Sequence, residues 1–178
     1  MFDVQLFVSK CQTALTEPQP MLAIKEILDR ALTQPDAVST ALNAEPGVAV
    51  LHRSDDLTVA SVVIPAGLPQ SLPHDHRMWA LVGIFGGQED NQFYRRDAGG
   101  LVESGGRSLH VSDTLLMGDD TIHAICNPLA RGTTAAIHVY GGDLLNAERS
   151  MWTRPDCSEQ PYDDTKVVRG GIRDETSS

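Results

Sequence analysis

Residues 73–83 read Pro73-His74-Asp75-His76-Arg77-Met78-Trp79-Ala80-Leu81-Val82-Gly83. Two histidines, one residue apart, stand at the mouth of an apolar run that suits a buried strand. Side chains alternate faces along a strand, so His74 and His76 share one face and Asp75 takes the other. The strand rise puts the two imidazoles about 6–7 Å apart, close enough to converge on one ion. Taken alone, the same pattern also suits two solvated loop histidines after Pro73.

A second cluster lies downstream, in Met117-Gly118-Asp119-Asp120-Thr121-Ile122-His123-Ala124-Ile125-Cys126-Asn127. A glycine-acidic turn leads into a strand bearing His123 near its start, which is what a third ligand from a facing sheet requires. In Ala136-Ile137-His138-Val139-Tyr140, alternation places Ala136, His138 and Tyr140 on one face. Read by themselves, His138 and Tyr140 also fit a buried hydrogen bond. His52 and His110 sit in turn-like or strand-end contexts and are not expected to bind metal. The acids Asp119 and Asp120 suit a solvated turn tip, and Cys126 points away from His123.

The rest of the chain frames these clusters. The first 45 residues carry helical spacing, with Phe2, Leu6, Phe7 and Cys11 on one face up to the break at Glu17-Pro18-Gln19-Pro20. Pro20 suits the first turn of a second helix whose apolar face is Met21, Ile24, Ile27, Leu28 and Leu32. Residues 36–43 suit a short third helix. From Val48 onward the spacing predicts short strands at 48–51, 57–64, 74–85, 92–95, 114–117, 122–126 and 134–140, separated by Gly, Pro, Asn and Asp. That pattern predicts a β-sandwich or barrel. After Trp152 the chain turns polar, with 174–178 expected to be a frayed tail. The expected organisation is one domain over residues 1–178: helices at 1–45, a barrel at 48–150 and a polar segment at 151–178.

The 178 residues are 41% hydrophobic and 21% charged, an ordinary globular balance, with a formal net charge of -10. That acidity argues against nucleic acid and anionic membranes as partners. Three scattered cysteines fit a reducing compartment better than a disulfide framework. Met1-Phe2-Asp3-Val4 has no basic n-region and no apolar run approaches a membrane span, so a cytoplasmic location is expected.

Over roughly residues 48–150 the clusters resemble the cupin superfamily, the double-stranded β-helix metal proteins. The first cupin motif is similar to Gly67, His74-Asp75-His76 and Gly83, and the second to His123 with Asn127 four positions on. The glutamate of the first motif is missing, its places being held by Ala80 and Leu81, and the proline-x-glycine of the second is altered to Leu116-Met117-Gly118. Within cupins the chain resembles the thiol dioxygenases, which have a three-histidine iron site, an N-terminal helical segment and a late strand bearing His-x-Tyr. The block is also similar to a group described only as predicted metal-dependent double-stranded β-helix enzymes.

The resemblance implies a mainly β, jelly-roll-like barrel with N-terminal helices. Its implied metal ligands are His74, His76 and His123, with Fe(II) as the metal and Ni, Mn or Zn as other divalent ions the isolated protein could carry. The implied reaction is oxidation of a small thiol to its sulfinate by O2. Tyr140 would face the metal, with His138 holding its hydroxyl, and Arg53 would match the arginine that binds a substrate carboxylate. The serine commonly found two residues before the histidine is Ala136 here. The cysteine that crosslinks to the tyrosine in animal cysteine dioxygenases would fall at Leu81, so no crosslink is expected. Two other readings stay open: a three-histidine dioxygenase that cleaves a carbon–carbon bond in a diketone-like substrate, and a metal-binding module without catalysis. Such barrels commonly pair through their sheets, which leaves a homodimer open.

The chemistry fits the residue types. Three neutral imidazoles leave a divalent ion its full charge, which favours anionic ligands and lowers the pKa of a bound thiol. Ferrous iron adds the redox capacity that zinc lacks.

Overall fold

The computed structural model describes residues 1–43, 45–98, 100–155 and 157–169. The expected tail at 174–178 lies outside the described residues. Three helices lead the chain: α1 (Val4–Ala14), α2 (Pro20–Ala31) and α3 (Pro35–Leu42). Asp3 caps α1, its carboxylate accepting from the Leu6 amide at 3.0 Å. Pro20 and Pro35 begin α2 and α3, where a missing N–H costs nothing. Asn43 ends α3 in the left-handed region at φ 42°. The face of α1 that is buried is Phe7, Val8, Cys11 and Ala14, whereas Leu6, expected on the apolar face, is exposed.

Eleven strands follow: β1 (Gly47–Arg53), β2 (Thr58–Pro65), β3 (His74–Asp75), β4 (Ala80–Gly86), β5 (Gln88–Asp97), β6 (Gly100–His110), β7 (Thr114–Met117), β8 (Ile122–Cys126), β9 (Thr133–Tyr140), β10 (Ser150–Thr153) and β11 (Ser158–Pro161). A short helix α4 (Asp164–Arg169) comes last. The strands form two antiparallel sheets, a five-stranded one in the order β1-β2-β9-β4-β7 and a six-stranded one in the order β11-β10-β3-β8-β5-β6. The architecture is thus mainly β, two antiparallel sheets with the helical layer on the five-stranded one, as expected of a jelly-roll-like barrel.

Alternation divides the five-stranded sheet between two cores. Leu81 and Phe85 of β4, Val59 and Val63 of β2, and Ile137 and Val139 of β9 pack against Phe7, Ile24, Leu28 and Val38 of the helices. Burying each such side chain contributes roughly 1.5–3 kcal/mol, which makes the helical layer part of the barrel's stability. Ala80, Val82 and Ile84 of β4, with Ala136 and Tyr140 of β9, face the barrel interior with Leu109, Leu115 and Met117. Gly83 lets α2 lie close on β4: a Cβ there would stand 2.7 Å from Leu32 Cδ1 and 2.8 Å from Leu28 Cδ2.

Two strand expectations are corrected by the structure. Residues 74–85 are not one strand: β3 belongs to the six-stranded sheet and β4 to the five-stranded one. The chain crosses between them over residues 76–79, with Arg77 at φ 58°. An apolar run signals burial but not which sheet it joins. The strand β6 was not expected, because its Glu103-Ser104-Gly105-Gly106-Arg107-Ser108 stretch is exposed and glycine-rich at the sheet edge. The polar segment after residue 150 also builds structure, since β10 pairs β3 and β11 pairs β10.

Candidate metal centre

The short strand β3 brings the first histidine to the second cluster. His74 pairs directly with His123 across β3 and β8, and Phe93 of β5 faces His123 from the other side. Directly opposed residues on antiparallel strands hold their Cβ atoms close, about 4.5–5.5 Å apart. The His74 and His123 rings accordingly lie 4.8 Å apart, centroid to centroid. His76 enters from the crossing, its ring 5.3 Å from that of His74 and 5.0 Å from that of His123.

All three histidines are buried, and one ring nitrogen from each lies within 4.8 Å of the other two. Nitrogens about 2.1 Å from a shared ion are separated by roughly 3.0–3.4 Å, depending on the coordination angle. Nε2 of His76 and Nε2 of His123 already stand 3.4 Å apart.

Hydrogen bonds fix two of the ring orientations. Nδ1–H of His74 donates to the Leu72 carbonyl at 3.0 Å, and Nδ1–H of His123 donates to Asn91 Oδ1 at 2.9 Å. Each of these bonds leaves an Nε2 lone pair to accept a cation, the usual outer-contact logic of metal-binding histidine. Nδ1 of His76 is buried with no hydrogen-bond partner. The residues therefore suit a divalent ion with an affinity for imidazole: two oriented lone pairs, a third imidazole in reach and no cationic side chain among the three.

Burial holds the imidazoles neutral, the form that binds metal. Desolvation pushes His74 down to about 4, and it lowers His76 and His123 well below the ordinary histidine range. His138 is pushed down to about 3, again chiefly by burial. This gives a pH prediction for the metal-free protein. His74 binds a proton near pH 6.5 in the unfolded chain but only near pH 4 in the fold, so its contribution to stability is fully present above pH 6.5 and falls with acid across that window. His74 alone accounts for roughly 3 kcal/mol of the loss, and the other three act in the same direction. Denaturant melts of metal-free protein should show the decline, and a midpoint constant from pH 7 to 4.5 would contradict it.

Ala80, at the place of the missing glutamate, pairs directly with Tyr140. The Tyr140 ring lies 5.0 Å from that of His76, so a phenol occupies the wall from which a carboxylate ligand would reach. Its hydroxyl is 2.9 Å from His138 Nδ1, while Nε2 of His138 is buried without a partner. Burial raises the Tyr140 pKa and keeps the phenol protonated. Met78, Phe93 and Leu144 pack against the interior cluster to which Ala80 and Tyr140 belong.

Arg53 is placed differently from the expectation. Its side chain is 38% exposed on the edge strand β1, and both Nε and Nη2 donate to the Asp143 carboxylate, at 2.8 and 2.9 Å. No contact joins it to the three histidines among the described residues. The guanidinium whose charge His74, His76 and Tyr140 feel is that of Arg149. Arg149 lies over the Tyr162 ring at 3.6 Å, and Tyr162 in turn lies edge-on to His74 at 5.8 Å. Arg149 forms no ion pair among the described residues, and its Nε is buried without a partner. Both residues flank the unexpected β10–β11 hairpin; the aromatic Tyr162 and the apolar pair Met151-Trp152 are the sequence signal that this segment is structured.

Among the described residues no helix is long and apolar enough to cross a membrane. No family model matches the chain. Among solved structures it is similar to the DMSP lyase DddQ from Ruegeria pomeroyi DSS-3, at 22% identity and a TM-score of 0.46, over 58% of this chain and 49% of that one. The chain thus spans about half the length of that lyase. It is also similar to a cupin superfamily protein from Desulfitobacterium hafniense DCB-2, at 16% identity and a TM-score of 0.46 over 60% and 88% of the two chains. A third likeness is to hydroquinone 1,2-dioxygenase from Sphingomonas sp. TTNP3, at 14% identity and a TM-score of 0.44 over 59% and 72%. Other structures it is similar to are described as double-stranded β-helix or cupin proteins, and with identities of 22% or less and TM-scores below 0.5 none of these likenesses assigns a chemistry to this chain's residues.

Proposed function

We propose that the chain is an iron-dependent dioxygenase that oxidises a small thiol, one carrying an anionic group, to its sulfinate. The observation that carries this reading is the donor set: three buried, neutral imidazoles with Tyr140, not a carboxylate, opposite Ala80. His74 and His123 would hold Fe(II) through Nε2, with His76 as the third ligand. Bound ferrous iron would supply the redox chemistry that activates O2 and the charge that deprotonates a thiol. In the net reaction the S–H bond breaks, two S–O bonds form and one proton is released. Sulfur gives up the four electrons that O2 accepts.

The chain's own side chains divide the remaining work. Without a ligating carboxylate, the site keeps the positive charge that draws a thiolate. When His138 Nδ1–H donates to the Tyr140 oxygen, the phenol O–H is free to donate into the site and orient what is bound there. Arg149, with no acidic partner among the described residues, takes the role that the resemblance gives to Arg53 and pairs with a substrate carboxylate. Met78, Phe93 and Leu144, packed against the cluster that includes Tyr140, would help keep water from a bound sulfur.

Oxygen uptake by protein loaded anaerobically with Fe(II) tests the proposal. A mercaptocarboxylate should consume O2 with sulfinate formed in equal amount, and an aminothiol without a carboxylate should react at least about 10-fold less efficiently, as expected for loss of one charge-assisted contact. Absence of uptake with every thiol in a panel would overturn the reading, and uptake with a diketone alone would replace it by carbon–carbon cleavage.

A further inference from the structure

Glu89 is fully buried on β5, two residues before Asn91, so both side chains fall on one face of the strand. Its Oε1 accepts a hydrogen bond from Asn91 Nδ2 at 2.9 Å, and Asn91 Oδ1 accepts from His123 Nδ1 at 2.9 Å. The donors all run one way, from imidazole to amide to carboxyl. The other carboxyl oxygen, Oε2, is buried with no partner, and Glu89 makes no ion pair among the described residues.

A carboxyl in such a place is costly to the fold. Burying it unpaired loses its hydration, and a neutral residue of the same shape would avoid that loss. Burial pushes Glu89 up to about 7, against the Asn91 hydrogen bond that lowers it. A cation held by His123 gives the carboxyl a use. Ligating histidines gain basicity and a fixed orientation when the far nitrogen donates toward a carboxylate, directly or through a neighbour.

We propose that Glu89 is a positioning residue for the metal centre: acting through Asn91, it fixes the His123 tautomer and supplies, one hydrogen-bonded step behind the ligand, negative charge that the three-histidine set lacks. This rests on the metal reading above. It also reconciles the missing first-motif glutamate with a buried acid elsewhere in the barrel. A bound ion would then have its compensating charge behind His123 rather than among its ligands.

The experiment titrates metal-free protein with Co(II), following the visible absorption of the bound ion, and compares it with Glu89→Gln. Glutamine keeps the shape and the contact with Asn91 but removes the charge. The expected result is Co(II) binding about 10-fold weaker, as for outer-contact changes at metal sites. The thermal midpoint of the metal-free variant should be equal to or above that of the parent, since an unpaired buried carboxyl has been removed. In an Asn91→Leu background the Glu89→Gln change should have no further effect on Co(II) affinity. Unchanged affinity in Glu89→Gln, or a loss matched by a lower metal-free midpoint, would overturn the proposal; so would an undiminished effect in the Asn91→Leu background. Failure of the parent protein to bind Co(II) would instead overturn the three-histidine site itself.

Discussion

Alanine at position 123 is expected to weaken Co(II) or Fe(II) binding by more than roughly 100-fold, beyond the range seen when only outer contacts of a ligand are changed. His123 is the hub of the cluster, across from His74 in the sheet and 3.4 Å from His76 between the Nε2 atoms. Its loss removes one of three ligands and strands the Asn91 carbonyl. The barrel should still fold, because the helix-side core of Leu81, Phe85, Ile137 and Val139 does not include His123. Metal content by elemental analysis checks the result, with His110→Ala as the control, since His110 is exposed. Full metal occupancy in His123→Ala would remove the third ligand from the assignment.

Phenylalanine in place of Tyr140 should leave metal content unchanged and lower kcat by about 100-fold or more, the range expected when a positioned proton donor is lost. The ring remains beside His76, so packing is kept and only the hydroxyl goes. His138 then loses the partner of its Nδ1, with Nε2 already unpartnered. A buried polar group left unsatisfied costs roughly 1–3 kcal/mol, so the variant should also melt earlier. Rate and stability are therefore measured together. An unchanged kcat with a lowered melting point would return Tyr140 to a packing role.

Much of this arrangement was legible in the sequence because its signals are local. Helical spacing, with prolines at helix starts, marked the N-terminal layer, and alternation in Ala136-Ile137-His138-Val139-Tyr140 separated the residues facing the interior from Ile137 and Val139 facing the helices. The spacing of His74 and His76 assigned them to one site, although they reach it partly through a chain crossing rather than one extended strand. What stayed hidden depends on long-range partners. Nothing local to Arg53 reveals that Asp143, 90 residues away, engages its guanidinium. Nothing local to Arg149 or Tyr162 shows that the hairpin between them lies beside β3. Glu89 and Asn91 were silent because polar residues alternating along a strand normally read as its solvent face.

The brevity of β3 has a consequence for how long an ion would stay. The ligand-bearing strand is two residues long and lies between β8 and β10, touching β10 by the single pair Met151–His74. Asp75 ties the same strand to β10 by accepting the Ser150 amide at 2.8 Å, while Arg77 and Arg96 close on its carboxylate. Sheet margins open locally far more often than whole domains unfold. The residence time of the ion would therefore be governed by fraying of the C-terminal hairpin as well as by the strength of the bonds to imidazole.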